Sequence, residues 1–164
     1  MRCIQLTWDL QKRLFSVPAR IQIVERNENG YVTNTKSANT IMYLDTGSNL
    51  TSITDDEVER MGINKETLTK KTVAGTGGFT EIHILKNVSL LFLDSQGNPL
   101  VLDLDEIGIN SRELKKVRTK KNGVFKQTNT TVAAMFSLLG IDSVIKYRGK
   151  IELDMNKLEG RIIF

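Results

Sequence analysis

Cysteine, histidine and proline are almost absent from this chain of 164 residues. The single cysteine, Cys3, excludes an internal disulfide and any zinc site built from paired cysteines. The single histidine, His83, excludes a metal centre with several histidines in one chain. It would also have to serve any serine or cysteine hydrolase mechanism. These two counts therefore exclude disulfide-stapled folds and metal proteins rich in cysteine or histidine.

Long hydrophobic runs are also missing. No apolar stretch approaches the roughly 18 residues that a transmembrane helix needs, and residues 1–10 lack the apolar core of a signal peptide. We therefore expect a cytoplasmic protein. Only two prolines and twelve glycines occur, which argues against a disordered chain. The length suits one ordinary domain, so we expect a single domain over residues 1–164.

Positive charge is concentrated in one segment. The formal net charge is +4, yet residues 111–126 (SRELKKVRTKKNGVFK) alone carry +6, which leaves −2 for the rest of the chain. Two interpretations remain open. The segment is either a solvated surface loop or a contact at Arg112–Lys126 for nucleic acid, anionic lipid or an acidic partner. Phe125 is the only aromatic residue within it, so base stacking is poorly supported.

Alternating and β-rich apolar runs predict a mainly β fold with one or two short helices. Thr54 and Glu57 form a capping box that predicts a short helix ending at Gly62. A second helix is predicted near Asp142, which we expect to cap it. The predicted strands include residues 19–25, 31–33, 39–44, 50–53, 88–93, 100–104, 150–154 and 161–164.

Residues 70–85 read as two β-rich arms around a glycine cluster and predict a hairpin. His83 lies on one arm and is expected to be an exposed strand residue. Cys3 and Trp8 are expected to pack rather than to react or to bind a ligand. A further acidic group is expected in a solvated turn in preference to a cation site; its members are Asp103, Asp105 and Glu106.

One aspartate stands where chemistry is possible. Asp45 follows the apolar run 39–44 and precedes Thr46, Gly47 and Ser48. A carboxylate at the end of an apolar strand must be hydrogen-bonded, or must share a proton with another carboxylate. The tripeptide Asp-Thr-Gly is also an ordinary turn. The Ser48 hydroxyl can donate toward the aspartate or cap that turn.

Four elements, taken together and in this order, resemble the retropepsin-like aspartic proteases. Residues 41–53 resemble the active-site strand and loop, and residues 73–79 (VAGTGGF) look like the flap of retroviral proteases. Residues 138–142 (LLGID) resemble the apolar–apolar–glycine element before the family's last helix. Residues 161–164 resemble its closing strand. The helix after the active-site loop is more similar to the cellular and microbial branch.

The resemblance implies an acid-protease fold, a closed barrel-like sheet, in a protomer active only as a homodimer on a peptide or protein substrate. It implies that Asp45 is catalytic, that Thr46 belongs to an interlocking hydroxyl pair, and that Gly47 forms the turn. Ser48 completes this active-site loop. The implied flap tip consists of Gly75, Thr76, Gly77 and Gly78. The family needs no metal or cofactor. Compared with a minimal retroviral protease, this chain has a basic insertion around residues 105–130.

Two functions remain open at this point. The first is a homodimeric aspartic endopeptidase, because the sequence has one Asp-Thr-Gly and no second copy of it. The second is a retropepsin-like module used for binding or assembly, with weak or no proteolysis. Asp45→Asn distinguishes them, because only a protease depends on that carboxylate.

Overall fold

The computed structural model describes residues 2–75, 78–110, 114–121, 124–131 and 136–164. Within them the chain is mainly β, as expected. The strands are β1 (Cys3–Asp9), β2 (Leu14–Arg26), β3 (Val32–Asp45), β4 (Ser52–Thr54), β5 (Thr69–Gly75), β6 (Gly78–Leu93), β7 (Pro99–Asn110), β8 (Leu114–Lys121), β9 (Val124–Thr131), β10 (Ser137–Gly140), β11 (Lys150–Asp154) and β12 (Glu159–Ile163). The helices are α1 (Asp55–Arg60) and α2 (Ile141–Lys146), and a 3-10 turn covers Lys65–Thr67. None of the described helices has the length and apolar character that crossing a membrane requires.

A ring of hydrogen-bonded strands forms the centre of the fold. Ten strands make one sheet in the order β11-β12-β1-β2-β3-β10-β4-β7-β6-β5, and β2 also pairs with β6. That additional pairing joins β2, β3, β10, β4, β7 and β6 into a ring. The expected closed, barrel-like sheet is therefore found as a ring, with β1, β12, β11 and β5 outside it.

Strand β2 makes the closure possible. One of its edges pairs with β3 along most of its length. The other edge pairs first with β1, through Leu14–Ser16, and then with β6, through Arg20–Ile23. Its alternate residues Val17, Ala19, Ile21 and Ile23 are apolar and buried, as period-two alternation predicts. Trp8 packs edge-on against the Phe15 ring at 4.9 Å, which confirms its expected packing role.

Strand β3 is longer than the apolar pattern predicted. It runs without a break from Val32 to Asp45, whereas the polar residues 34–37 lie outside the predicted strands 31–33 and 39–44. Pairing with β2 explains the difference, because Asn34–Ala38 hydrogen-bond along Ile21–Glu25 whatever their side chains. Backbone pairing to a well-buried strand outweighs weak local propensity here.

Strand β7 places the acidic group differently from the expected turn. Asp103, Asp105 and Glu106 lie on a twelve-residue strand that pairs with β6. Each carboxylate has its own partner on a neighbouring element. Asp103 accepts a hydrogen bond of 2.6 Å from the Ser89 hydroxyl, Asp105 pairs with Lys146 at 3.0 Å, and Glu106 pairs with Lys71.

The basic segment contains a separate hairpin. Among the described strands, β8 and β9 pair with each other alone, as a two-stranded antiparallel sheet. Residues 105–110, at the start of the expected insertion, belong instead to β7 and to the ten-stranded sheet. Arg112, in the predicted contact Arg112–Lys126, lies outside the described residues.

Helix α1 begins with the predicted capping box. The backbone and hydroxyl of Thr54 both donate to the Glu57 carboxylate, and the Thr40 hydroxyl donates to it at 2.7 Å. Arg60 pairs with the same carboxylate at 3.2 Å. Burial raises the pKa of Glu57, but the hydrogen bonds from Thr54 and Thr40 outweigh burial and hold the pKa below its usual value. The ionised carboxylate therefore joins α1 to β3 and β4.

We expect Glu57→Gln to lower the free energy of unfolding at pH 7 by about 1–3 kcal/mol, because it weakens several buried hydrogen bonds to a charged acceptor. A folded-state pKa below the unfolded value stabilises the protein above the unfolded pKa, and the contribution is lost as the pH falls below about 4.3. The variant and wild type should therefore converge in acid. Urea unfolding from pH 7 to pH 3 measures this. The exposed Glu59→Gln on the same helix is the control, and an equal loss in both variants would contradict the role of Glu57.

Candidate functional site

Asp45 is the last residue of β3, at the point where the buried strand reaches a tight turn. Met42, Tyr43 and Leu44 before it are buried, whereas Asp45 itself is half-buried. The Gly47 N–H donates to Asp45 Oδ1 at 3.0 Å, and the Ser48 N–H donates to the Asp45 carbonyl at 3.2 Å. One carboxylate oxygen is thus held by the turn, and the carboxylate remains accessible.

The residues after Asp45 complete the loop. A Cβ on Gly47 would lie 3.3 Å from Asp45 Oδ1, so a side chain there would crowd the carboxylate. The Ser48 hydroxyl donates to the Leu50 carbonyl at 2.8 Å and accepts from the Leu50 N–H at 3.3 Å. Of the two roles open to it, Ser48 caps the turn. Thr46 is exposed at the tip of the loop.

The Asp45 loop connects β3 to β4, and β10 lies between these two strands, beside the loop. β10 runs parallel to β3, with Gly140 next to Asp45, and antiparallel to β4. The residues of the predicted LLGID element thus lie directly against the Asp45 loop. Ile141 N–H donates to the Ser48 carbonyl at 2.8 Å, which adds a further link from α2 to the loop.

Thr51 is the main anchor of the loop. It is fully buried, and both its N–H and its hydroxyl donate to the Asp142 carboxylate, at 3.0 Å and 2.7 Å to Oδ1. The same hydroxyl accepts from the Gly140 N–H at 3.1 Å. Asp142 was expected to cap α2, but Gly140 is the residue at that cap and the carboxylate reaches Thr51 instead. The threonine satisfies two groups from a segment about 90 residues away.

Gly140 has to be glycine for this contact to form. A Cβ there would lie 2.7 Å from the Leu50 carbonyl carbon and 2.8 Å from the Thr51 nitrogen. Contacts this short to backbone atoms cannot be relieved by turning a side chain. The glycine of the LLGID element therefore allows β10 and α2 to approach the Asp45 loop closely.

The β5–β6 hairpin contains the predicted flap. Its arms pair in register up to Gly75 opposite Gly78, whereas Thr76 and Gly77 lie outside the described residues. Both the base of the hairpin and the Asp45 loop approach Gly108 of β7. A Cβ at that glycine would lie 2.8 Å from Ile82 Cδ1 and 3.1 Å from Leu50 Cδ2, so both side chains lie close to Gly108.

No protein-family model matches the sequence, and a search of curated proteins finds no significant match. Among solved structures, the chain is similar to a retropepsin-like aspartic protease from Rickettsia conorii. The sequences are 14% identical, the similarity covers 98% of this chain and 89% of that one, and the TM-score is 0.54. The chain has a retropepsin-like fold. At 14% identity the similarity supports the fold alone. The chemistry of the site depends on its own residues.

Within the retropepsin-like fold, His83 differs from its expected exposure. It is buried on β6, opposite Ile109 of β7, because that pairing places it in the apolar interior, and its Nε2 is buried without a hydrogen-bond partner. Cys3 is half-buried on β1. In the described part of the chain, no three His, Cys, Asp or Glu side chains come together in a group that could hold a metal ion.

Two residues that support the Asp45 loop were not among the candidate residues predicted from the sequence. Thr51 and Gly108 support the Asp45 loop from behind. Nothing in the local sequence distinguishes Thr51 from Ser52 or Thr54, because its role depends on a distant carboxylate. Gly108 lies within an apolar strand, where an isolated glycine is a recognised signal of close approach.

We expect Thr51→Val to lower the free energy of unfolding by about 1–3 kcal/mol, because the substitution keeps the side-chain volume but leaves Asp142 and the Gly140 N–H without the hydroxyl. Thr51→Ser should restore most of the loss. Thermal unfolding measures both. The matched control is Thr7→Val, an exposed threonine on β1, which should change stability by less than about 0.5 kcal/mol. If the Thr51→Val and Thr7→Val proteins are equally stable, the hydrogen bonds of the Thr51 hydroxyl do not stabilise the fold.

Proposed function

We propose that this protein is an aspartic endopeptidase that acts as a homodimer, with Asp45 from each copy forming the catalytic pair. The observation that carries the proposal is the placement of Asp45. An accessible carboxylate ends a buried strand, the Gly47 N–H holds one of its oxygens, and the surrounding fold is that of a retropepsin-like protease. A single such carboxylate in each chain makes the site incomplete without a second copy.

The chemistry follows from bringing two Asp45 carboxylates together. Two neighbouring carboxylates cannot both ionise easily, so the pair holds one proton over a working pH range and titrates as a unit. The ionised member takes a proton from a water molecule held between them, and that water attacks the scissile carbonyl. The protonated member donates to the carbonyl oxygen and stabilises the tetrahedral intermediate. The carboxyl group that took the proton from water then gives it to the amide nitrogen, the C–N bond breaks, and the amine product leaves. Each step uses only carboxylates and water.

The β5–β6 hairpin supplies the second half of the proposed site. Ile82 at its base and Leu50 of the Asp45 loop both lie close to Gly108, so the hairpin begins near the loop. In the proposed mechanism the two hairpins of the dimer close over an extended peptide, exclude water and hydrogen-bond to its backbone. Glycines at Gly75 and Gly78 permit close backbone approach.

We expect Asp45→Asn to abolish peptide cleavage at every pH while leaving the unfolding transition close to that of wild type, because the amide preserves shape but cannot act as base or acid. Wild-type activity should follow a bell-shaped pH profile with its maximum below neutrality. Cleavage of a denatured protein between about pH 3 and pH 9, with and without pepstatin, measures this. Asp56→Asn, at an exposed position on α1, is the control.

If Asp45→Asn retains cleavage, or if activity rises steadily into alkaline pH, the two-carboxylate mechanism is wrong. Peptide binding without cleavage in wild type, unchanged in Asp45→Asn, would instead support the module for binding or assembly.

We expect Thr46→Val to weaken the proposed dimer. The resemblance implies that the Thr46 hydroxyl, exposed at the tip of the Asp45 loop, hydrogen-bonds the same loop of the partner, and valine removes that hydroxyl. The loss of about 1.4 kcal/mol corresponds to a tenfold higher dissociation constant. Sedimentation equilibrium at micromolar concentration measures it, with Thr46→Ser as the variant that keeps the hydroxyl. A wild-type protein that is monomeric yet fully active would refute the shared site.

A further inference from the structure

The face of the sheet that bears Asp45 also bears an apolar strip, in which Tyr43 is buried and Leu138 and Phe136 are half-exposed. Tyr43 precedes Asp45 by two residues, so both lie on one face of β3, about 7 Å apart. The parallel register places Leu138 beside Tyr43. Leu138 is half-exposed, whereas Ser137 and Leu139 on either side are buried. This face of β10 is therefore turned away from the core, toward the side on which Asp45 is accessible.

Phe136, just before β10, extends the strip with a second aromatic ring. Its centroid lies 5.0 Å from the Tyr43 ring, at an interplanar angle of 53°. Phe136 is itself half-exposed. Tyr43, Leu138 and Phe136 together form what we term the aromatic wall. The distance from Asp45 to the start of the wall equals the length of about one or two residues of an extended chain.

Lys12, in the turn between β1 and β2, covers the end of the aromatic wall. Its ammonium lies 4.7 Å from the centroid of the Phe136 ring. The side chain is exposed. An ammonium over an aromatic face is attracted by the ring, but the attraction neutralises none of its charge. The wall therefore ends in a positive charge.

Asp9, the nearest carboxylate in that turn, is already engaged. Its Oδ1 accepts from the backbone N–H groups of Gln11 and Lys12, at 2.9 Å and 3.0 Å, and its Oδ2 accepts from the Tyr43 hydroxyl at 2.9 Å. These bonds, led by the one from Lys12, hold the pKa of Asp9 below its usual value. They fix the turn against β3. The positive charge of Lys12 also contributes to the lowered pKa of Asp9, although within the described residues its ammonium contacts the Phe136 ring and forms no ion pair with a carboxylate.

We propose that Lys12 gives this site a preference for peptides with an acidic side chain close to the scissile bond. The inference rests on the proposed peptidase function. An extended peptide with its scissile bond at Asp45 sends alternate side chains to the same side, about 7 Å apart. A side chain one or two residues from that bond therefore lies along the aromatic wall. The methylene groups of glutamate contact Leu138 and the Phe136 ring, the half-exposed members of the wall, and its carboxylate reaches the ammonium. Lysine at that position would bring two cations together.

The test uses a peptide set with one cleavable bond and Glu, Gln or Lys at each of the four positions nearest to it. At one position, wild type should have a kcat/KM about three- to tenfold higher for Glu than for Lys, the range of a partly exposed ion pair. Lys12→Met, which keeps the stem over Phe136, should reduce that ratio to about one, and Lys12→Glu should invert it. The wild-type preference should shrink at 0.5 M salt, because salt screens exposed charges.

The matched control is Lys157→Glu, an exposed lysine in the turn between β11 and β12, which should leave the ratio unchanged. If Lys12→Met retains the wild-type preference, or if wild type has none, Lys12 only covers the ring and the proposal is wrong. Lys12→Met keeps the test decisive even where Lys12→Glu disturbs the turn.

A binding measurement separates this proposal from the peptidase function. Fluorescence anisotropy of the same peptides on the Asp45→Asn protein requires no cleavage. Tighter binding of the Glu peptide, lost in Asp45→Asn combined with Lys12→Met, supports the Lys12 preference even where wild type cleaves nothing. Equal binding of the Glu and Lys peptides overturns it, even where wild type is an active peptidase.

Discussion

The hydrogen bonds between Thr51 and the Gly140–Asp142 segment hold the Asp45 loop in place. A loop that carries an accessible carboxylate has few apolar contacts of its own, so its geometry depends on the elements behind it. Here one buried threonine satisfies a carboxylate and a backbone N–H from β10 and α2. Gly140 makes that approach possible. Buried hydrogen bonds thus fix the position of the Asp45 loop, and the Asp45 carboxylate remains accessible.

The ring of strands gives that anchor a rigid base. β10 reaches the loop because it is inserted between β3 and β4, and β4 in turn pairs with β7. β7 continues to β6, and β6 returns to β2. A displacement of β10 would therefore have to open hydrogen bonds on both of its sides. The same ring places the β5–β6 hairpin at a fixed position relative to the loop. Ile82 at the base of the hairpin and Leu50 of the loop both lie close to Gly108.

Features encoded by neighbouring residues could be predicted from the sequence. The turn after Asp45, the capping box of α1 and the LLGID element all depend on residues within a few positions of one another. Features that depend on distant pairing could not. The central part of β3 is polar and becomes a strand because β2 lies beside it. His83 is buried because β7 covers it, and Asp142 binds Thr51 because β10 brings it there. The contact of Lys12 with Phe136 joins two turns that only the folded sheet brings together.

The order in which the chain pairs has a consequence for how the protein reaches its native state. β1 pairs with β12, so Cys3 lies opposite Ile163, and the Asp45 loop meets partners near residue 140. Contacts of such long sequence separation are formed late and slowly, because loop-closure entropy is lost before the contacts stabilise anything. During synthesis the Asp45 loop therefore cannot reach its native geometry until most of the chain has been made. Until residues 137–142 have left the ribosome, the nascent chain contains Asp45 and Thr51 but lacks Gly140 and Asp142, the hydrogen-bond partners of Thr51. The site therefore stays unassembled.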